Sequence, residues 1–251
     1  MTRAAALVAG ASRGIAFTGA GVSAESGIPT FRGEGGLWRQ YDPYRVASLD
    51  SFLQDPTRYW EVSRQRWPAF AAALPNPAHT ALAAMEREGH LAGVVTQNTD
   101  GLHVEAGTGR LIELHGSGRV VRCLDCGAEE PRAGVQGRLD RELPPRCRRC
   151  RGIHIKPAVV LFGEAMPVGA VAEAYELARA CDLMLVVGSS LQVYPAANVP
   201  LTAVEEGAPL LIVNADPTPF DRLAEVTLRG RAAQILPELL RLAARPAVGD
   251  G

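Results

Sequence analysis

A short apolar run at residues 15–18, Ile-Ala-Phe-Thr, breaks directly into Gly19-Ala20-Gly21-Val22-Ser23-Ala24, and this junction limits the possible folds more than any other part of the chain. A short apolar run closed by turn formers reads as a buried strand. Two glycines one residue apart let the backbone turn tightly off that strand and bring its N–H groups against a pyrophosphate. Ala24 supplies the third small position of the G-x-G-x-x-[GA] pattern. That pattern alone is weak. Its continuation is unusual: Glu25-Ser26-Gly27-Ile28-Pro29-Thr30-Phe31-Arg32 is a proline-stiffened loop ending in an aromatic and a cation. An ordinary dinucleotide-binding unit would run on into a helix here. The segment instead predicts a loop laid over the ligand.

The rest of the chain alternates between strand-like and helix-like patterns. Apolar runs of strand length occur at 15–18, 92–96, 159–162, 183–188 and 209–213, and helical spacing at 77–88, 168–180 and 232–242. This alternation predicts an α/β fold, a doubly wound parallel Rossmann-like sheet. Two segments depart from the rhythm. Residues 34–76 hold all three tryptophans (Trp38, Trp60, Trp67) and read as a small helical insert. Residues 117–153 are arginine-rich, lack apolar periodicity and hold four of the five cysteines. The expected organisation is one domain over 1–245. Its core comprises 1–33, 77–116 and 154–245, and a disordered tail follows at 246–251.

At 251 residues and 47% apolar, the chain is long enough to bury a full core. A net charge of −1 argues against wholesale binding to nucleic acid or anionic membranes. The opening ten residues are apolar, but Gly10, Ser12 and Arg13 interrupt the pattern, so they read as a helix leading to the first strand rather than a signal peptide. No run is long enough to span a bilayer. The expected location is cytoplasmic.

Cys123-x2-Cys126 and Cys147-x2-Cys150 stand twenty residues apart. That spacing suits a closed tetrahedral zinc site of four thiolates, which would stabilise a segment too polar to fold on its own core. Paired disulfides are the competing reading, and a cytoplasmic location disfavours them. A redox motif is also disfavoured, because neither pair opens a helix after a strand. Gly127 suits the turn of a zinc knuckle. The surrounding arginines read as a solvated face in preference to a binding patch. Cys181 reads as a buried small hydrophobe.

Polar residues cluster where apolar runs end. Thr96-Gln97-Asn98-Thr99-Asp100-Gly101-Leu102-His103 follows the run at 92–95, and Glu113-Leu114-His115-Gly116 follows another short apolar segment. Ligands of doubly wound sheets lie at such carboxyl ends, and a histidine there can serve as a general base near neutral pH. His79, His90, His103 and His154 read as structural. His115 reads as catalytic because of its companion motifs.

Taken in order, these segments resemble the sirtuins, the NAD-dependent protein lysine deacylases. The resemblance runs from the first strand to Leu240. It adds 156–164 (Lys-Pro-Ala-Val-Val-Leu-Phe-Gly-Glu), 188–195 (Gly-Ser-Ser-Leu-Gln-Val-Tyr-Pro) and 213–218 (Val-Asn-Ala-Asp-Pro-Thr) to the motifs above. It implies an NAD-dependent lysine deacetylase that releases nicotinamide and O-acetyl-ADP-ribose, with NAD as co-substrate and one structural zinc held by Cys123, Cys126, Cys147 and Cys150. His115 and Asn98 would be catalytic. Gly19, Ala20, Gly21 and Ala24 would line the pyrophosphate, and Phe31 and Arg32 would cover the nicotinamide ribose. Gln97, Asn98, Thr99 and Asp100 would hold ribose and carboxamide, Gly188, Ser189 and Ser190 phosphate and ribose, and Asn214, Ala215 and Ala232 the adenosine half. Val160 and Phe162 would wall the acyl-lysine tunnel. Gly163, Glu164, Ser190, Leu191 and Val193 would sandwich the peptide as an added strand.

Two departures from the family pattern matter. Thr99 stands where the family usually has Ile or Val. Members that prefer succinyl or malonyl lysine present Tyr-x-x-Arg in the insert, whereas this chain keeps Arg66 but has Ser63 for the tyrosine. A bidentate clamp on a carboxylate needs both groups, so deacetylation is expected over desuccinylation. The expected partners are acetyl-lysine proteins or peptides, with no membrane, no sequence-specific nucleic acid and a monomeric state. Other readings fit less. A short-chain dehydrogenase needs Tyr-x-x-x-Lys, but Lys156 is the only lysine and Gly152 occupies the tyrosine's place. A zinc-ribbon nucleic-acid binder would leave 19–32 and His115 without a role. Mono-ADP-ribosyl transfer to protein stays open as a side activity. With a single lysine, the chain also offers itself almost no side-chain substrate.

Overall fold

The computed structural model describes residues 1–31 and 36–244, so Arg32 and the expected tail at 246–251 lie outside the described residues. Six strands form a parallel sheet: β1 (Gly14–Thr18), β2 (Leu91–Thr96), β3 (Leu111–Glu113), β7 (Leu183–Val187), β8 (Leu210–Asn214) and β9 (Val226–Arg229). Their spatial order is β3-β2-β1-β7-β8-β9. Three further strands, β4 (Gly116–Cys123), β5 (Glu129–Pro131) and β6 (Ile155–Val159), form an antiparallel sheet in the order β5-β4-β6.

The large sheet is buried on both faces, which explains the unbroken apolar runs of β1, β7 and β8. Alternate side chains point to opposite faces. Ala16, Val94, Leu185 and Leu211 pack under α1 (Thr2–Gly10), α5 (Pro77–Arg87) and α10 (Ala232–Ala243). Ile15, Phe17, Met184 and Ile212 pack under α8 (Val168–Ala180) and α9 (Asn198–Glu205). The alternation therefore distributes one sequence run over two cores. The expected helix before the first strand is α1, which buries Ala4, Ala5 and Val8.

The expected strand at 159–162 is displaced. The regular strand ends at Val159, belongs to the small sheet and lies at its edge, where Pro157 removes no central ladder bond. The cysteine-rich segment also has more regular structure than its polarity suggested, because its core is shared. Val121, Val135, Leu139 and Ile155 pack with Phe52 and Trp60, which come from α3 (Leu49–Gln54) and α4 (Thr57–Ala72) of the 34–76 segment. The Trp60 indole donates to the Ile155 carbonyl at 3.0 Å. Strand β9 and helix α9 had no clear pattern; α9 carries Pro200 near its start.

Candidate active site

Strand order reverses between β1 and β7, and ligands of open parallel sheets bind outside the carboxyl ends at such a point. After β1 the chain makes two 3-10 turns, Ala20–Val22 and Ala24–Ser26, in place of a helix. The Gly21 N–H donates to the Gly188 carbonyl at 2.8 Å, and a Cβ on Gly21 would lie 2.8 Å from that oxygen. Gly188 has φ +60, and a side chain there would strike the Val22 backbone. Both glycines are required by close approach of the two loops. The cleft that results has a volume of ≈ 640 Å³.

Most of the expected cofactor residues line this cleft: Gly19, Ala20, Gly21, Ala24, Phe31, Gln97, Asn98, Gly188, Ser189, Ser190, Asn214, Ala215 and Ala232, together with His115 and Val193. Thr99 and Asp100 are not among its lining residues. The Thr99 carbonyl accepts from Gly118 N–H at 2.7 Å, and the buried Asp100 carboxylate accepts from Ser23 at 2.8 Å and from Leu102 N–H at 2.9 Å. Leu191 is 1% exposed in the core at φ +54, which leaves it only backbone to offer a ligand. Sequence reasoning did not select Glu25, Thr30, Asp216 or Arg231, which also line the cleft.

Ser23 organises the polar floor. Asn98 Nδ2 donates to Ser23 Oγ at 3.1 Å and to the Gly19 carbonyl at 3.2 Å. His79 Nε2 lies 3.3 Å from Ser23 Oγ, and His79 Nδ1 accepts from the Asn76 N–H at 3.3 Å. Accepting at Nδ1 assigns the proton to Nε2, so Ser23 Oγ receives two N–H groups and donates its own proton to Asp100. Burial holds His79 down at about 4 and His103, whose Nε2 lies 3.0 Å from Thr18 Oγ1, down at about 3. Both rings are neutral at pH 7. The signal for His79 was its place three residues after Asn76, in a capping box.

His115 follows β3, and its Nδ1 lies 3.0 Å from the Gln97 carbonyl at the end of β2. A carbonyl can only accept, so Nδ1 carries the proton and Nε2 keeps its lone pair. Burial lowers the His115 pKa from 6.5, and the Gln97 bond opposes that shift. A neutral imidazole with a basic Nε2 is the form that a general base needs.

The four expected zinc ligands converge. All four Sγ atoms lie within 4.8 Å of one another, with Cys123 and Cys150 at 3.6 Å and Cys126 and Cys147 at 3.7 Å. Tetrahedral Zn–S bonds of about 2.3 Å place sulfur atoms about 3.8 Å apart. The set fits a closed structural zinc.

The Sir2 family profile matches residues 19–195. The chain belongs to the Sir2 family. It is 47% identical over 238 residues to NAD-dependent protein deacylase 2 of Archaeoglobus fulgidus, covering 95% of this chain and 94% of the relative. It is 48% identical over 224 residues to the NAD-dependent protein deacetylase of Sulfurisphaera tokodaii, covering 89% and 88%. A solved Sir2 structure with a deacetylated p53 peptide and 3'-O-acetyl ADP ribose superposes with a TM-score of 0.92 at 35% identity, covering 96% and 97%.

In this Sir2 chain, aromatic rings connect the loop after β1 to the segment after β6. Phe31, 41% exposed, stacks on Trp38 at 5.3 Å, and Trp38 and Tyr44 meet Phe162 at 6.0 and 5.4 Å. The Arg66 guanidinium lies 5.7 Å from the Phe31 ring centre. Ser63, three residues before Arg66 on α4, is bonded elsewhere. Its buried hydroxyl accepts from Arg132 at 2.9 Å and from Gln136 at 2.6 Å.

Proposed function

We propose that His115 is the general base of an NAD-dependent protein lysine deacetylase and that the residues around the cleft divide the remaining work. NAD is a co-substrate here. Its glycosidic bond is cleaved, nicotinamide leaves, and late in the reaction one water is consumed as the lysine amine is released and the acetyl group ends on the ribose as O-acetyl-ADP-ribose. The turns at Gly19–Ala24 and the Ser189–Ser190 loop offer N–H and hydroxyl donors for the phosphates. Asn98, fixed by Gly19 and Ser23, and the Gln97 side chain, bonded to Ser189 at 2.9 Å, face the ribose and nicotinamide side. Neutral His115 takes a proton from a ribose hydroxyl through Nε2 once the acetyl oxygen has captured C1′. Phe31 covers the site so that water does not consume the reactive centre first.

Val160 and Phe162 wall the acyl-lysine pocket, and the backbones of Gly163, Glu164, Ser190, Leu191 and Val193 receive the peptide as an added strand. Acetyl-lysine proteins or peptides are the partners, and the working state is a cytoplasmic monomer without sequence-specific nucleic-acid binding. Among the described residues no helix is long and apolar enough to cross a membrane.

The observation that carries this reading is the His115–Gln97 bond beside the Ser23-centred floor. Product analysis with NAD and an acetyl-lysine peptide tests it. Nicotinamide and O-acetyl-ADP-ribose should appear in equal amounts, and their absence overturns the assignment. Acyl preference follows from Ser63, a short side chain whose oxygen is held by Arg132 and Gln136 where the carboxylate-binding pattern has a tyrosine to act with Arg66. The kcat/KM for an acetyl-lysine peptide should exceed that for the succinyl version, and equal values refute the preference.

A further inference from the structure

Of 26 cationic side chains only Lys156 is a lysine, and it is 4% exposed. Its Nζ donates to the Val159 carbonyl at 2.6 Å, to Glu164 Oε2 at 3.0 Å and to the Pro157 carbonyl at 3.4 Å. Three donors thus meet three acceptors around one point. A compact ammonium can satisfy that arrangement, whereas the planar fork of an arginine spreads its donors.

Glu164 Oε2 also accepts from Leu161 N–H at 3.0 Å, and Glu164 N–H donates to the Leu161 carbonyl at 3.0 Å. The ion pair therefore closes both ends of the segment 159–164, a strap without strand structure of its own after Val159. Between these ends the strap is bonded to two other parts of the site. Val160 N–H donates to the His115 carbonyl at 2.9 Å. Phe162 N–H donates to the Ala47 carbonyl at 2.8 Å, and Leu49 N–H donates to the Phe162 carbonyl at 2.9 Å. One short segment links the base, the helical insert and the proposed acyl wall, and the ion pair of buried Lys156 with half-buried Glu164 sets its register.

We propose that Lys156 and Glu164 are a positioning pair for the acyl-peptide subsite, holding the strap so that Val160 and Phe162 face the acyl chain and the backbone at 163–164 is presented to the peptide. This rests on the peptide-binding role assigned to the strap above. Glu164 acts through the strap, since its carboxylate is already engaged by Lys156 and Leu161. Neither member of the pair hydrogen-bonds to the turns at 20–26 that line the phosphate end of the cleft, so its main effect falls on the peptide.

The test uses Lys156→Met, Glu164→Gln and the double variant, in which no lone buried charge threatens folding. Binding of a fluorescent acetyl-lysine peptide is read by anisotropy, and NAD binding by calorimetry without peptide. Each single variant should weaken peptide binding by about tenfold, the double variant no more than either single, and NAD affinity should stay within about twofold. Unchanged peptide affinity, or a parallel loss of NAD affinity, overturns the proposal. If the wild-type chain bound the peptide but produced no O-acetyl-ADP-ribose, the deacetylase reading would fail while this measurement still stood.

Discussion

His115 owes its proposed role to one bond and one depth. The Gln97 carbonyl fixes the tautomer, and burial lowers the pKa from 6.5, so the base stays unprotonated through neutral pH. Replacing it with alanine should lower kcat by about 10²–10⁴-fold, the usual contribution of a positioned base, with NAD affinity retained. In the wild type, kcat should fall on the acid side only below the ordinary histidine value; a limb centred above 6.5 contradicts the assignment. His115 was legible because it ends an apolar run in company with the 96–103 motif. Ser23 and His79 were not. Each looks structural by itself, and only the fold brings residues 23, 76–79 and 98–100 within bonding distance.

Among the elements, β4 links the zinc site to the cleft. Cys123 ends it, its register with β6 shifts between Ser117 and Val121, and within that stretch Gly118 N–H reaches the Thr99 carbonyl. Behind Gly118, the buried Arg132 of α7 (Arg132–Gln136) donates to the Gly118 carbonyl at 3.1 Å and sits over Trp67 and Phe70 at 5.4 and 4.9 Å. A Cβ on Gly118 would lie 2.7 Å from Thr99 O and 3.0 Å from Phe70. Gly118→Ala should therefore displace the Asn98–Asp100 loop and weaken NAD binding while leaving one bound zinc per chain. Removing zinc with a chelator should weaken NAD binding as well, together with a change in Trp60 fluorescence. Intact NAD affinity in the zinc-free protein refutes the link. The cysteine spacing was readable because metal ligation is local in sequence. The small sheet was not, since its apolar partners Phe52 and Trp60 lie in another segment.

For the whole molecule, the parallel sheet was legible because burial on both faces leaves unbroken apolar runs, whereas the half-exposed β9 left no such trace. That same burial also sets a pH limit on stability. His79 and His103 are held neutral down to about 4 and about 3, whereas in the unfolded chain each takes up a proton near 6.5. Between those values the unfolded state binds more protons than the folded one, so stability is intact above about pH 6.5 and falls as pH decreases. At pH 5 each ring contributes a loss of roughly 2 kcal/mol, at about 1.4 kcal/mol per pH unit. The paired carboxylates of Glu130 and Asp221 have lowered pKa values, so their stabilisation is lost only under more acid conditions. Urea unfolding at pH 7.5 and pH 5 should show this difference. Other groups also contribute between these two pH values, so the decisive comparison is with His79→Gln, which leaves the cysteine cluster untouched. That variant should be less stable at pH 7.5 but lose less between the two pH values. An identical loss in both proteins would mean that His79 does not set the acid limit.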